Sequence, residues 1–307
     1  MKNKIITLGE ALIDIIIESN EPKTMVAGGS VVNASISLSR LGIPVKLISE
    51  IGNDSSGNFL LDKLNSENID ISSISPSMQL QTPIALAFLD EHCNAKYSIY
   101  KNYNTEFAIP NIEIHRNDIV LYGSYYSVSP RQHQKIIDFI GYAKSRGAFI
   151  IYDPNIRNKV HDDMNHQQLI DSVERNFLLA DIIKGSDEDF ASIYDAKSSD
   201  EAYNKLPAKK FFIYTQGSKE VETFYKDEKT SYAVPKISPK STIGAGDNFN
   251  AGLCYSLFQY LETGISYAEA INTKKPEIIQ TAIQFSSEVC LKNENSINQS
   301  IIQRLKL

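Results

Sequence analysis

Apolar and polar positions follow two different periods along this chain. Short, continuously apolar and β-branched runs predict strands, and between several of them apolar residues recur at helical spacing. The predicted strands are Ile5–Leu8, Val45–Ser49, Ile119–Tyr122, Phe149–Tyr152, Ile182–Lys184 and Phe211–Tyr214, and the predicted helices cover 30–41, 56–67, 131–146 and 166–179. Strands that are apolar throughout and separated by helices indicate a mostly parallel sheet covered on both faces, which is an α/β fold.

One region breaks this alternation. Residues 83–107 have the pattern of a β-hairpin with a turn near Asp90–Ala95, and a second extended piece covers 11–18. Together they predict a small sheet outside the main core. The chain contains no low-complexity segment, long linker or internal repeat, and its length suits one large α/β domain or two small ones.

The segment 240–252, K-S-T-I-G-A-G-D-N-F-N-A-G, combines a glycine-rich turn with the start of a helix. Apolar residues recur at helical spacing from Phe249, and Gly264 is placed to end the helix. The amides of Gly244–Gly246, together with the helix dipole, form a natural site for a phosphate or a developing anion. Asp247, in the first turn, is a candidate general base for a hydroxyl that attacks a phosphoryl group.

The same pattern also occurs in ordinary helix starts, where an Asp in the first turn serves only the helix dipole. Two common phosphate motifs are absent from the sequence. It contains no Gly-Lys dipeptide and hence no Walker A loop, and the third glycine of G-x-G-x-x-G would fall at Phe249.

Composition narrows the class of protein. The chain has 42% hydrophobic residues and a formal net charge of −6, with scattered charges that argue against nucleic acid or an anionic membrane as a partner. Cys93, Cys254 and Cys290 lack ligand-like spacing and indicate free thiols in a reducing compartment. Glu10 and Asp14 interrupt the first apolar run, and no stretch is long enough to span a membrane, so we expect a cytoplasmic protein.

Five segments, in order along nearly the whole chain, resemble the ribokinase-like (PfkB) carbohydrate kinases. Gly244–Asp247 looks like the family's G-A-G-D signature. The others are G-E-A-L-I-D at 9–14 with A-G-G-S-V-V-N-A at 27–34, I-G-N-D-S-S-G at 51–57, D-P-N-I-R at 153–157 and T-Q-G-S at 215–218.

This resemblance implies a single domain over residues 1–307, with a three-layer ribokinase-like α/β fold and a mostly parallel central sheet. It also implies that about 11–30 and 83–107 form a small β-sheet lid, which covers the sugar and in relatives often pairs between subunits, so that a homodimer is expected. The resemblance further implies that the protein binds a small-molecule sugar as substrate, together with ATP and Mg²⁺. Asp247 would take the proton of the attacking hydroxyl, while the amides of Gly244, Ala245 and Gly246 stabilise the phosphoryl charge.

The family's other functional positions carry over residue by residue. A buried sugar needs hydrogen-bond partners for its hydroxyls, since an unpaired buried group costs about 1–3 kcal/mol. The implied sugar contacts are Asp14, Gly28, Gly29, Asn33, Lys101 and Arg157, and the implied nucleotide contacts are Ser186, Thr215, Gly217 and Thr242.

Two departures from the family pattern change the expectations. Ser241 stands where relatives carry an Asp that helps to hold a monovalent cation, so potassium activation should be weak or absent. The family's N-x-x-E appears as Ser186-Asp187-Glu188-Asp189. Asp189 is the candidate for the magnesium site, through water, and Glu188 is its rival.

The sequence therefore predicts an ATP-dependent sugar kinase, with fructose as the first choice of substrate. A 2-keto-3-deoxygluconate kinase is the next alternative, because Arg157 and Lys101 would hold a carboxylate, and a ribokinase is a further one. A degenerate, sugar-sensing binding protein is the non-enzyme alternative. Hydrolase motifs are absent, and the histidines lack ligand or triad spacing at positions 92, 115, 133, 161 and 166.

Overall fold

The structure is a computed structural model that describes residues 3–90, 95–102, 107–157 and 163–298. The strands are β1 (Ile5–Leu8), β2 (Leu12–Glu18), β3 (Glu21–Gly28), β4 (Val45–Gly52), β5 (Asp70–Ser77), β6 (Ile84–Leu89), β7 (Ala95–Tyr100), β8 (Ile119–Gly123), β9 (Phe149–Asp153), β10 (Ile182–Ser186), β11 (Phe211–Thr215), β12 (Glu220–Tyr225) and β13 (Glu228–Ala233). The helices are α1 (Ser30–Arg40), α2 (Ser55–Ser66), α3 (His133–Ser145), α4 (His166–Leu179), α5 (Asp187–Tyr194), α6 (Ser199–Lys205), α7 (Ala245–Glu262), α8 (Tyr267–Thr273) and α9 (Lys275–Cys290), with a short 3₁₀ helix at Tyr125–Ser127.

The chain divides into two compact units, and the first comprises Met1–Phe107 and Ile237–Leu307. In it, β1, β4 and β5 pair in parallel, in the order β1-β4-β5. β1 is buried along its whole length, as expected for a strand with both faces covered. Helix α1 packs on β1 and β4, and α7 packs on α1 and α9, so that the G-A-G-D segment begins a buried helix.

A four-stranded sheet in the first unit, here called the lid sheet, has the order β3-β2-β6-β7. The β2–β6 pair is parallel, whereas β2–β3 and β6–β7 are antiparallel. Its strands lie in both segments predicted for the lid, at 11–30 and 83–107. Residues 91–94 of the predicted turn near Asp90–Ala95 lie outside the described residues.

The second unit, Ala108–Lys236, contains strands in the order β13-β12-β11-β10-β9-β8. β8 to β11 are parallel, and β11 to β13 form an antiparallel meander at the edge. The predicted α/β class with a mostly parallel sheet is therefore confirmed.

Local sequence signals explain where several helices begin and end. Asp54 caps α2 by accepting the Gly57 N–H, and Asn165 with Gln168 forms a capping box at α4. Helix α7 ends at Glu262, and Gly264 follows it at φ 87°, where the sequence predicted the end of the helix.

The periodicity missed elements whose apolar pattern is weak. Strand β5 has the sequence D-I-S-S-I-S-P-S, which is too polar to be recognised as a strand, although it pairs with β4 along its length. Gly29 is the N-cap of α1. Among the described residues, no helix is both long and apolar enough to cross a bilayer. Cys254 and Cys290 are buried free thiols, and Cys93 lies outside the described residues.

Candidate active site

The G-A-G-D segment forms the first turn of α7. Gly244 is the N-cap at φ 76°, a left-handed conformation that favours glycine, and Asp247 is the third residue of the helix. The N–H of Ala245 donates to the carbonyl of Thr242 at 3.2 Å, whereas in the described part of the chain no main-chain acceptor takes the N–H of Gly244 or Gly246. Two of the three amides predicted to bind an anion are therefore available, and that of Ala245 closes the turn.

Asn33 connects helix α1 to this turn. Its Nδ2 donates to Oδ2 of Asp247 at 2.8 Å, and the Asn33 side chain is buried. An amide N–H stabilises a carboxylate in its charged form and fixes its orientation. Two residues that the sequence assigned separately, to the sugar and to catalysis, are thus direct partners.

Asp14 lies on β2, buried and close to the same helix start. Its Oδ2 accepts a hydrogen bond from Nδ2 of Asn295 at 3.1 Å. Burial and the negative charge of Asp247 together raise the pKa of Asp14 to about 7, although the Asn295 hydrogen bond acts in the opposite direction. A carboxyl group with a pKa near neutrality either donates to or accepts from a substrate hydroxyl.

The glycine pair before α1 makes room for this carboxyl group. A Cβ on Gly28 would lie 2.2 Å from Oδ2 of Asp14, and a Cβ on Gly29 would lie 2.2 Å from the carbonyl oxygen of Glu10. Gly29 also has φ 107°, which L side chains rarely adopt. Both glycines are therefore required by the local packing.

Two asparagines that the sequence did not single out complete the site. Asn248 follows Asp247 on α7, and its Nδ2 donates to the carbonyls of Gly244 and Asn295, each at 2.8 Å. Asn248 was visible in the motif, but an amide inside an apolar helix gives no functional signal. Asn295 had no signal at all, because its partner Asp14 is 281 residues away in the sequence.

Lys101 lies directly after β7 of the lid sheet and pairs with an acid. Its ammonium is 3.4 Å from Oε2 of Glu10, which lies between β1 and β2. The sequence predicted a substrate role for Lys101 and did not predict its pairing with Glu10. A positive charge that is already balanced by a carboxylate attracts an anionic substrate less strongly.

The predicted nucleotide contacts of the second unit lie at strand ends. Ser186 and Thr215 are register partners at the carboxyl ends of the parallel strands β10 and β11. Gly217 has φ 58° in the turn that follows β11, and a Cβ there would meet no atom within 4 Å. The structure thus brings Ser186 and Thr215 together beside the turn that carries Gly217. Thr242 belongs to the first unit, in the turn before α7.

Asp189, the predicted metal residue, is buried at the start of α5. Its Oδ2 accepts from the N–H and the hydroxyl of Ser186 at 2.6 and 2.7 Å, and its Oδ1 accepts from the N–H of Ile156 at 2.6 Å. Burial and the charge of Asp153 raise its pKa to about 6, while Lys184 acts to lower it. These contacts give Asp189 a structural role, and its contact with a metal stays a prediction.

The second unit contains one buried and one exposed ion pair among the residues next to Asp189 or in the D-P-N-I-R segment. Lys184 and Asp153 form a buried ion pair, with Nζ and Oδ2 2.7 Å apart. Arg157, predicted to contact substrate, forms an exposed pair with Glu188 at 3.2 Å. This is an exposed surface salt bridge, and a contact between Arg157 and the substrate stays a prediction. In the ranges that the structure describes, no cluster of three or more His, Cys, Asp or Glu side chains is arranged to hold a metal ion.

Ser241, the departure upstream of the signature, is buried. Its hydroxyl accepts the N–H of Ile243 at 3.1 Å and so forms a tight turn before Gly244. A neutral hydroxyl used in this way is a poor replacement for a carboxylate as a cation ligand.

The Asp247 carboxylate is held by an amide donor and lies beside available N–H groups at a helix N-terminus. It can therefore accept a proton from a hydroxyl. The N–H groups can stabilise negative charge that moves onto a nearby phosphoryl group. Asp14 and the glycine backbone supply hydrogen-bonding groups to a polyol.

Comparison with known proteins agrees with this chemistry. The family model described as pfkB family carbohydrate kinase matches residues 2–297. A fructokinase of Vibrio alginolyticus is 22% identical over 290 residues, which are 93% of this chain and 91% of the relative. A fructokinase of Rhizobium leguminosarum bv. trifolii is 28% identical over 266 residues, which are 82% of this chain and 79% of the relative.

Solved structures share the fold. The crystal structure of fructokinase from Vibrio cholerae O395, in its fructose, ADP and calcium ion bound form, has a TM-score of 0.82 to this chain at 20% identity, covering 99% of this chain and 98% of that one. At this identity the likeness shows the ribokinase-like fold.

Proposed function

The chain belongs to the pfkB family of carbohydrate kinases, and from this membership we propose that it transfers the γ-phosphoryl group of ATP to a hydroxyl of fructose. The observation that carries the proposal is the position of Asp247. Its carboxylate lies in the first turn of α7, next to the available N–H groups of Gly244 and Gly246, and accepts a hydrogen bond from Asn33.

Asp247 acts as the general base. Its carboxylate takes the proton of the sugar hydroxyl as the hydroxyl oxygen bonds to the γ-phosphorus, and the bond to the ADP oxygen breaks. Asn33 orients the carboxylate for this transfer. The N–H groups of Gly244 and Gly246 stabilise the charge on the transferring group, a contribution that grows as charge develops.

The sugar lies against Asp14 and the Gly28-Gly29 backbone. Asp14 is buried, with a pKa near 7, and so it pairs with a hydroxyl in either protonation state. Gly28 and Gly29 leave the backbone accessible for a close approach to the ring.

The pairing of Lys101 favours a neutral sugar over a keto acid. Because Glu10 lies 3.4 Å from the Lys101 ammonium, this lysine is not an unbalanced positive charge awaiting a carboxylate. The two curated relatives described above are named as fructokinases, which supports the same choice.

The nucleotide is proposed to contact Ser186, Thr215, Gly217 and Thr242. Mg²⁺ bound with ATP would neutralise charge on the phosphates. Asp189 and its rival Glu188 are the acids that would hold the metal through water. Since both oxygens of Asp189 already accept hydrogen bonds from Ser186 and Ile156, we propose that the more exposed Glu188 would have this role.

We also propose that two copies associate through the lid sheet. Several large apolar side chains on its strands are exposed, namely Met25, Phe88, Tyr97, Ile99 and Tyr100. Sedimentation should give a dimer for the wild type and a monomer for Ile99→Lys/Tyr100→Lys, whereas Tyr142→Lys, an exposed tyrosine on α3, should remain dimeric. A monomeric wild type would refute this association.

ADP release with fructose, 2-keto-3-deoxygluconate, ribose and adenosine tests the function. Fructose should give the highest kcat/KM, and Asp247→Asn should lower kcat by about 10²–10⁴-fold. Asp138→Asn, an exposed helical carboxylate paired with Gln134, serves as the matched control and should keep full activity.

Two other results would contradict different parts of the proposal. Turnover with the keto acid alone would show that the choice of fructose is wrong and leave the kinase intact. If the wild type exceeds Asp247→Asn with none of the four substrates, yet calorimetry detects sugar binding, the chain is a sugar-binding protein and not a kinase for these compounds.

A further inference from the structure

Asn295, in the segment of residues 291–298 that follows α9, contacts two residues of the candidate site, Asp14 and Asn248. Asn295 is 5% exposed, and its side chain points to the sugar-side acid, with Nδ2 3.1 Å from Oδ2 of Asp14. Donation by an amide to a buried carboxyl group fixes the position of that group.

The main chain of the same residue faces the anion-binding turn. The Asn295 carbonyl accepts from Nδ2 of Asn248, whose second hydrogen donates to the carbonyl of Gly244. A Cβ on Gly244 would lie 2.6 Å from this Asn295 carbonyl oxygen, so the turn and the segment are in close contact. Asn295 therefore contacts the sugar side through its side chain and the phosphoryl side through its backbone.

Helix α1 anchors the segment on both sides of Asn295. The Arg40 guanidinium lies 3.0 Å from Glu294 and donates to the carbonyl of Ile297 at 3.1 Å. Ser37 accepts the N–H of Ile297 at 3.0 Å and donates to Oδ1 of Asn248 at 2.5 Å. With its neighbours fixed in this way, Asn295 has little freedom to move away from its two partners.

We propose that Asn295 is a positioning residue that holds the sugar-binding carboxyl group and the phosphoryl-binding turn in a fixed geometry. The proposal rests on the proposed kinase function and adds two residues to it. Asn295 affects the sugar through Asp14. Asn248 donates to the carbonyls of both Asn295 and Gly244, and so it fixes the position of Gly244 relative to the Asn295 backbone. Neither asparagine is assigned a contact with the reacting atoms.

The two asparagines should affect different kinetic constants. Asn295→Ala removes the contact with Asp14 but keeps the main-chain carbonyl, so KM for fructose should rise about tenfold or more while kcat stays within about threefold. Asn248→Ala releases Gly244, so kcat should fall about tenfold or more with little change in KM for fructose. A general loss of structure would not separate the two constants in this way.

Asn293→Ala is the matched control, because it removes an exposed asparagine side chain of the same segment and leaves both amide contacts in place; its kinetic constants should equal those of the wild type. If Asn295→Ala does not fold, Asn295→Leu replaces it, since leucine has a similar shape, lacks the donor and adds no charge beside Asp14. Equal effects of Asn248→Ala and Asn295→Ala on both constants, or an effect of Asn293→Ala as large as theirs, would overturn the proposal.

A double-mutant cycle in urea needs no substrate and separates this inference from the kinase function. With Asp14→Ala and Asn295→Ala at pH 8, the two changes should be non-additive by roughly threefold or more in the unfolding equilibrium constant. Additive changes would show that the contact does not position Asp14. A wild type that phosphorylates none of the sugars would refute the proposed function. The double-mutant cycle would still show whether Asn295 holds Asp14.

Discussion

Nδ2 of Asn33 donates to Oδ2 of Asp247 at 2.8 Å, although the two residues are 214 positions apart in the sequence. The amide stabilises the charged carboxylate and limits its rotation. Because a base must be ionised and correctly placed to accept a proton, this contact links the first helix of the chain to the chemistry.

Asn33→Ala should therefore lower kcat by about 10–100-fold while leaving the fold intact, because Asp247 loses its orienting donor. KM for the sugar should rise as well, since Asn33 is also a predicted sugar contact. Steady-state kinetics with fructose, alongside far-ultraviolet circular dichroism, measure both effects. Asn58→Ala, at an exposed asparagine of α2, is the control, and an unchanged kcat in Asn33→Ala would contradict the orienting role.

Gly28→Ala should abolish sugar binding with a smaller effect on ATP affinity. The added methyl group would lie 2.2 Å from Oδ2 of Asp14, so the carboxyl group must move. Calorimetric titration with fructose measures the loss. Gly141→Ala is the matched control, since a Cβ there meets nothing within 4 Å and alanine stabilises a helix interior by up to about 1 kcal/mol. Normal fructose binding by Gly28→Ala would remove Asp14 from the sugar site.

Features that depend on neighbouring residues could be predicted from the sequence. Local patterns were sufficient for the parallel strands, the boundaries of α1 and α4 to within a residue or so, and the G-A-G-D turn, because each depends on residues close together in the chain.

Contacts between distant residues were not predictable. The pairs Asn33–Asp247, Asp14–Asn295 and Lys101–Glu10 form only when the fold brings their elements together. Neither the alternation nor the spacing of residues in the sequence indicates that these pairs form. The structural role of Asp189 was not predictable for the same reason, because it depends on a hydrogen bond from the N–H of Ile156, which is distant in the sequence.

Asp14→Asn should stabilise the protein at alkaline pH. Burial and the charge of Asp247 raise the pKa of Asp14 from 3.8 to about 7, so the folded state binds a proton more tightly than the unfolded state. Stability contributed by this proton is fully present below about pH 4 and is lost as pH rises towards 7. Urea unfolding from pH 4 to 8 should show a gain for the variant on the order of a few kcal/mol at pH 8, and almost none at pH 4. A constant difference across this range would contradict the raised pKa.

Lys184→Met should destabilise the second unit by about 3–5 kcal/mol, because it leaves the Asp153 carboxylate buried without its ion-pair partner. The urea midpoint measures the loss. The double variant Lys184→Met/Asp153→Asn should recover a large part of it, since the buried charge is then absent. If the double variant is as unstable as the sum of both changes, the pair is not the source of the effect.

Potassium should have little effect on the wild type. Ser241 is buried and its hydroxyl oxygen accepts the Ile243 N–H, so this position supplies no carboxylate to a monovalent cation next to the anion-binding turn. Initial rates in potassium chloride, with choline chloride keeping the ionic strength constant, should be nearly flat. Ser241→Asp retains an acceptor for Ile243 and adds a charged oxygen, so it should introduce activation by potassium, whereas Ser241→Ala should not. Strong activation of the wild type would show that other oxygens, such as main-chain carbonyls, suffice to bind the cation without a carboxylate at this position.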